Sequence, residues 1–234
     1  MTGKLKNYWR HFRLSLKERG FRPTIGILAA FLVDYWYDIR YDVNTKASLT
    51  LEHGDTASGK IGPGDIYQPT LMLPLRKLFR SFSFPENGGF VDLGCGKGRV
   101  LFIASEYHFK ALRGIEYSEP LCEIARENIQ RFQRRTKSRR PFQIIQIDAA
   151  QYAIQPDDQI FYMFHPFGAP VLRQIIKNMK ASFNQHPRPM WIIYRNPVHS
   201  HVIEQSGFFE KCDDVVYWGH DFTIYCSIKS ILSS

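Results

Sequence analysis

The sequence predicts an α/β domain whose mostly parallel sheet ends in an antiparallel hairpin, preceded by a basic helical extension. Three observations predict it. From about residue 67, short apolar runs alternate with amphipathic segments long enough to be crossover helices, the pattern of parallel strands joined by helices. The last two apolar runs are separated only by Gly219–Asp221, too short for a crossover, so they pair antiparallel. The first apolar run leads directly into three alternating glycines and then a helical segment.

Taken in order, residues 1–66 form the extension. Leu5, Tyr8, Trp9, Phe12 and Leu16 recur at three- and four-residue steps between basic positions, the spacing of one helix face. Gly20 and Pro23 break that helix, and Thr24–Tyr37 reads as a second one. Residues 51–66 hold four glycines and Pro63 and read as a loop. The domain proper is expected over 67–234. Its strands are Gly89–Gly94, Leu112–Tyr117, Phe142–Ile147, Gln159–Phe164 and Met190–Tyr194, followed by Phe208–Trp218 and Phe222–Ile228. Its helices are Val100–His108, Pro120–Phe132, Val171–Phe183 and a short Val198–Ser206, with a further helix after Thr70.

Of the 234 residues, 44% are hydrophobic and 23% charged, which excludes a disordered chain, a collagen-like chain and a disulfide mini-protein. The net charge of +9 is concentrated: residues 1–22 carry seven basic side chains against Glu18, and residues 131–140 carry six with no acid. Cys95, Cys122, Cys212 and Cys226 form no close pair, so neither a zinc motif nor a dense disulfide frame is expected. A reduced, cytoplasmic location fits that cysteine usage. The apolar run Ile25–Val33 has nine residues where a membrane span needs roughly 20, so no integral span is expected. The basic, aromatic N-terminal stretch suits an anionic membrane surface, a nucleic acid or a helix covering the domain. The 131–140 run reads as a solvated face or as a phosphate-binding patch.

The chemistry centres on Phe90-Val91-Asp92-Leu93-Gly94-Cys95-Gly96-Lys97-Gly98-Arg99. Glycines here let backbone amides approach a ligand in conformations closed to other residues, at the start of a helix. A dinucleotide fingerprint is spaced G-x-G-x-x-G; this one is G-x-G-x-G and carries Asp92. A carboxylate is unwelcome beside a pyrophosphate and welcome beside an amine, so the ligand should include an amino acid part. Glu116, eighteen residues past Gly98, is placed to accept ribose hydroxyls.

These residues resemble the class I, seven-strand S-adenosylmethionine-dependent methyltransferases. Val91–Gly98 looks like that family's first motif, Gly114-Ile115-Glu116-Tyr117-Ser118 like its second, and Asp148-Ala149-Ala150 follows the third strand, where the family often has an acid near the adenine. The resemblance implies a three-layer sandwich with central strand order 3-2-1-4-5, and S-adenosyl-L-methionine as cofactor. Gly94, Gly96 and Gly98 would lie against the methionyl part with Asp92 near its ammonium. Glu116 would hold the ribose, Tyr117 would stack along the adenine, and Asp148 and Ala149 would complete its pocket. No metal is implied.

Two stretches bear on the methyl acceptor. Phe164-His165-Pro166-Phe167 is similar in placement to the Asn/Asp-Pro-Pro-Tyr/Phe motif of amino-group methyltransferases, but a histidine fills the polar position and one proline is missing. His165 reads either as a general base or as a cap on a strand end, with Pro166 and Phe167 facing the substrate. Tyr67-Gln68-Pro69-Thr70 looks like an element preceding the first motif in several protein lysine methyltransferases. By that likeness Tyr67 faces His165 across the transfer point and Thr70 helps hold the donor, although Thr70 also reads as a helix N-cap. A methyltransferase with an unidentified acceptor, protein lysine ahead of nucleic acid, is the leading expectation. The acceptor-bearing partner would be a protein or an acidic, phosphate-bearing molecule. A non-catalytic ligand- or RNA-binding protein on the same fold is the alternative.

Overall fold

The computed structural model describes residues 21–46, 68–85, 88–164 and 167–227. Seven strands form one sheet: β1 (Gly89–Leu93), β2 (Ala111–Glu116), β3 (Phe142–Gln146), β4 (Asp158–Phe164), β5 (Trp191–Arg195), β6 (Phe209–Tyr217) and β7 (His220–Ser227). Their order is β3-β2-β1-β4-β5-β7-β6. The first five are parallel, and β7 runs antiparallel between β5 and β6. The helices are α1 (Phe21–Tyr41), α2 (Met72–Ser81), α3 (Arg99–Ala104), α4 (Glu119–Thr136), α5 (Ala169–Gln185) and α6 (Ser200–Glu204).

Alternation along each strand divides the core in two. Phe90, Leu112, Ile160, Tyr162, Ile193 and Phe222 face one side, where residues of α1 to α4 cover them. Val91, Ile115, Phe161, Met163, Ile192 and Tyr225 face the other, under α5 and α6. Central β1 is buried along its whole length, as a strand covered on both faces must be.

Several elements differ from their expected bounds. The hairpin connection is only Trp218 and Gly219, at φ 51° and 75°, a two-residue turn whose twist matches the flanking strands. The helix expected over Thr24–Tyr37 spans Phe21–Tyr41, with Pro23 in its first turn, where no amide is missed; the helix expected around Leu5–Leu16 and the loop over 51–66 lie outside the described residues. α4 runs on to Thr136, so Arg131, Arg134 and Arg135 sit on its last turns rather than beyond it; arginine is a good helix former. α3 is short and gives way to turns after Ala104. Where the cysteine spacing suggests no dense frame and a reduced location, Cys212 and Cys226 form a single disulfide between β6 and β7. Antiparallel pairing brings them together, and Cys212 is the residue by which the register slips between Lys211 and Asp213. Among the described residues no helix is long and apolar enough to cross a membrane.

The N-terminal extension is anchored to the domain through buried charge. Ala30, Asp34, Tyr37 and Asp38 form the inward stripe of α1. The guanidinium of Arg99, the first residue of α3, pairs with Asp34 and lies 3.8 Å from Asp38. Its Nε donates to Thr45 Oγ1 at 2.7 Å, and that hydroxyl donates to Asp38 at 2.6 Å. Asp34 also accepts the Met72 amide at 3.1 Å, fixing the start of α2. Burial holds the Asp34 carboxyl above its usual range, with Arg99 pulling it back down. Removing one member of a buried charge set strands the others in low dielectric. Arg99→Met should therefore destabilise the fold by ~3–5 kcal/mol, measured by urea denaturation; a loss below ~1 kcal/mol would mean that the pair is effectively solvated.

Candidate functional site

The carboxyl ends of β3, β2 and β1 lie side by side, and there the sheet presents most of the donor residues expected from sequence. β1 delivers Asp92 and then a loop in which Gly94, Gly96 and Gly98 all take positive φ, at 80°, 52° and 84°. That region favours glycine because other residues meet their own carbonyls there. The loop is tied down from β2: the Gly94 and Cys95 amides donate to Ile115 O at 2.8 and 3.0 Å. Gly96 N donates to Glu116 Oε2 at 2.9 Å, and Ser118 N donates to Oε1 at 2.9 Å. Glu116 thus bridges the glycine loop to the start of α4, and each of its oxygens keeps a lone pair for a further donor. Burial raises its pKa, opposed by those amide bonds.

Asp92 is 2% exposed, and its Oδ2 is buried without a hydrogen-bond partner. Burial, with the nearby Glu116 charge, pushes its carboxyl well above the ordinary range. A buried, unsatisfied carboxyl beside a glycine loop is costly in itself and is complementary to an ammonium group. The residues present therefore fit the amino acid end of S-adenosylmethionine.

Tyr117 stands half exposed at the end of β2. Asp148 Oδ1 accepts the Ala150 amide at 2.8 Å and starts a single 3₁₀ turn, in which Ala149 is buried. These residues share the strand ends with Glu116. Behind the loop, Gly114 makes room for it: a Cβ there would lie 2.6 Å from Cys95 Sγ and 2.8 Å from Ile144 Cδ1. The Asn128 side chain of α4 adds a clamp, donating to Lys97 O at 3.1 Å and to Asn44 O at 3.0 Å. Neither Gly114 nor Asn128 stood out as a loop support from sequence, since their role depends on packing between distant segments.

The acceptor side is described in part. Tyr67, His165 and Pro166 lie outside the described residues. Phe167 is half-buried against the core on the α5 side. Thr70 is not the N-cap of α2, which is Leu71; its buried hydroxyl instead pairs with Tyr162 Oη at 2.7 Å. Burial pushes that phenol up to about 12.

One residue missed from sequence stands here. Arg195 ends β5 beside Phe164 of β4, its guanidinium carbon 3.6 Å from the Phe164 ring centre. Nη2 meets His220 Nδ1 at 2.9 Å, and buried Nη1 has no hydrogen-bond partner. The available signal was a charged residue closing an apolar strand at the carboxyl edge of a parallel sheet, where ligands bind.

Comparison with known proteins agrees with this fold. The family model for the histone methylation protein DOT1 matches residues 57–140. No curated protein matches the chain. Among solved structures, a putative S-adenosyl-L-methionine-dependent methyltransferase from Methanococcus maripaludis is similar at 14% identity, over 65% of this chain and 84% of that one, with TM-score 0.51. The tRNA methyltransferase TrmK of B. subtilis is similar at 11% identity over 68% and 66%, with TM-score 0.52. A ribosomal protein L11 methylase from Lactobacillus delbrueckii subsp. bulgaricus is similar at 12% over 68% and 79%, with TM-score 0.51.

Two outcomes follow. Gly114→Ala should displace Cys95 and the loop, costing ~1–3 kcal/mol of stability and weakening S-adenosylhomocysteine binding measured by calorimetry; unchanged affinity would show the loop to be independent of this contact. A ligand ammonium favours ionised Asp92, whereas the free protein holds this acid protonated above its ordinary range. Binding should then release a proton and tighten as pH rises towards neutrality. Asp92→Asn should flatten that dependence, and a flat profile in the unmodified protein would contradict the assignment.

Proposed function

We infer that this chain, which has the seven-strand fold seen in S-adenosylmethionine-dependent methyltransferases, moves the methyl group of S-adenosylmethionine to the side-chain amine of a protein lysine. The observation that carries this reading is the family match to a histone methylation protein over residues 57–140. That span holds both the glycine loop and the Tyr67–Thr70 element.

The cofactor supplies an electrophilic methyl carbon on a sulfonium. The chain's task is positioning, which accounts for most of the catalysis available to such a displacement. Gly94, Gly96 and Asp92 hold the methionyl end, Glu116 the ribose, and Tyr117, Asp148 and Ala149 the adenine. The lysine nitrogen forms its bond to the methyl carbon as the carbon–sulfur bond breaks, and that electron pair stays on sulfur. The nitrogen must be uncharged to attack. Arg195, a fixed cation at the end of β5, disfavours a protonated amine nearby by like-charge repulsion. Neutral His165, next in chain after β4, takes the proton released. Tyr67, in the sequence element before α2, is the second acceptor-side residue of this reading.

The test uses the full chain, methyl-labelled S-adenosylmethionine and a cell extract, with hydrolysis of the labelled products. Label should appear in protein as methylated lysine. His165→Ala and Tyr67→Phe should lower turnover on the order of a hundredfold while leaving affinity for S-adenosylhomocysteine near that of the unmodified protein. Label in nucleic acid instead would overturn the lysine reading, and binding without any transfer would favour a non-catalytic module.

A further inference from the structure

The outward side of α1 is the wrong chemistry for water. Phe31, Leu32, Tyr35, Trp36 and Ile39 are each between 54% and 69% exposed, and at 3.6 residues per turn they fall within about 140° of arc. The opposite stripe of the same helix is the one fastened to the domain through Asp34 and Asp38, so this face has no partner within the described fold. Isolated apolar side chains on a surface need no explanation, but a contiguous aromatic and aliphatic face does.

Cations are interleaved with it. The Arg40 guanidinium lies 5.0 Å from the Trp36 ring centre, and Lys46 Nζ lies 3.8 Å from that of Tyr35. A groove of about 450 Å³ is lined by Trp36, Ile39, Arg40, Tyr41 and Arg135. Beside it a second, of about 360 Å³, brings in Arg131 and Arg134. Asp42 and Glu127 are the acids at this rim, at 4.0 and 3.5 Å from Arg131; Arg134 and Arg135 have no acidic partner among the described residues.

We propose that this face docks on an anionic lipid surface, with the five apolar side chains entering the headgroup boundary and the arginines meeting lipid phosphates and carboxylates. An apolar helix face flanked by Arg is what an interfacial helix presents to a membrane. The charge argues against the other occupants. A second copy would bring two sets of arginines together. The first twenty residues, with six basic side chains and one acid, repel the same rim. Nucleic acid would satisfy the arginines but leave Phe31, Leu32 and Ile39 without a counterpart. The proposal is independent of which acceptor is methylated.

Flotation of the full chain with vesicles of neutral phosphatidylcholine, alone or with phosphatidylserine, tests it. Binding is expected to the anionic vesicles and to fall as salt rises. Leu32→Ser with Trp36→Ser should abolish it, and Arg134→Ser with Arg135→Ser should weaken it by about thirtyfold. Both variants should keep the circular dichroism spectrum and the S-adenosylhomocysteine affinity of the unmodified chain. The idea fails if the unmodified chain does not float with anionic vesicles, or if it floats equally with neutral ones. It fails too if Leu32→Ser with Trp36→Ser floats normally, which would assign binding to another basic segment. Loss of a concentration-dependent dimer in that variant, without lipid binding, would make the face an interface between copies.

Discussion

The rest of the molecule depends on one buried guanidinium. Arg99 stands directly after the third glycine of the donor loop, and among the described residues its charge is met by Asp34 and Asp38 of α1, with a hydrogen bond to Thr45, which follows that helix. Because the counter-charges lie more than fifty residues away in sequence, the loop cannot adopt its buried arrangement without the extension, nor the extension without the loop. Asp34 carries the coupling further by accepting the amide at the start of α2. The segment that leads from Thr70 into the domain is thereby held by the same pair. A buried ion pair contributes little net stability over apolar packing, but it permits only one arrangement of its members.

That arrangement explains how the glycine loop can be accessible in backbone and still rigid. Its glycines have no side chains to pack, so other groups restrain it: Glu116 from β2, Cys95 lodged against Gly114, and Asn128 from α4. A site whose chemistry consists of holding two reactants in line benefits from such restraint, because the loop then loses little freedom on binding. The cost is concentrated at Asp92, whose buried oxygen remains without a donor. A ligand ammonium would relieve it.

Much of this architecture could be read from the residues. The alternation of short apolar runs with longer helical intervals made the parallel pairing, the hairpin and the position of the donor loop legible, because those features are local and repeat, whereas the strand order was implied only by the family resemblance. Elements decided by distant packing were not legible. Nothing near Arg99 announces Asp34, and nothing in the spacing of Cys212 and Cys226 announces a bridge until β6 and β7 are paired. Thr70 has the composition of a helix cap, yet Tyr162 of β4 lies within reach of its hydroxyl and takes it. The basic run at 131–140 reads as lying after the helix because its apolar periodicity stops at Phe132, whereas its first half continues the helix to Thr136 with an exposed face. Arg195 was hidden for the opposite reason: an arginine at a strand end is unremarkable until its burial is known.

The central claim is that the glycine loop, Asp92 and Glu116 form a preorganised site for the methyl donor. Isothermal titration of the full chain with S-adenosylhomocysteine tests it most directly. The account predicts binding at one molecule per chain, lost in a folded Gly96→Val protein whose new side chain fills the space the ligand needs. A folded, unmodified sample that shows no binding at millimolar ligand would contradict it.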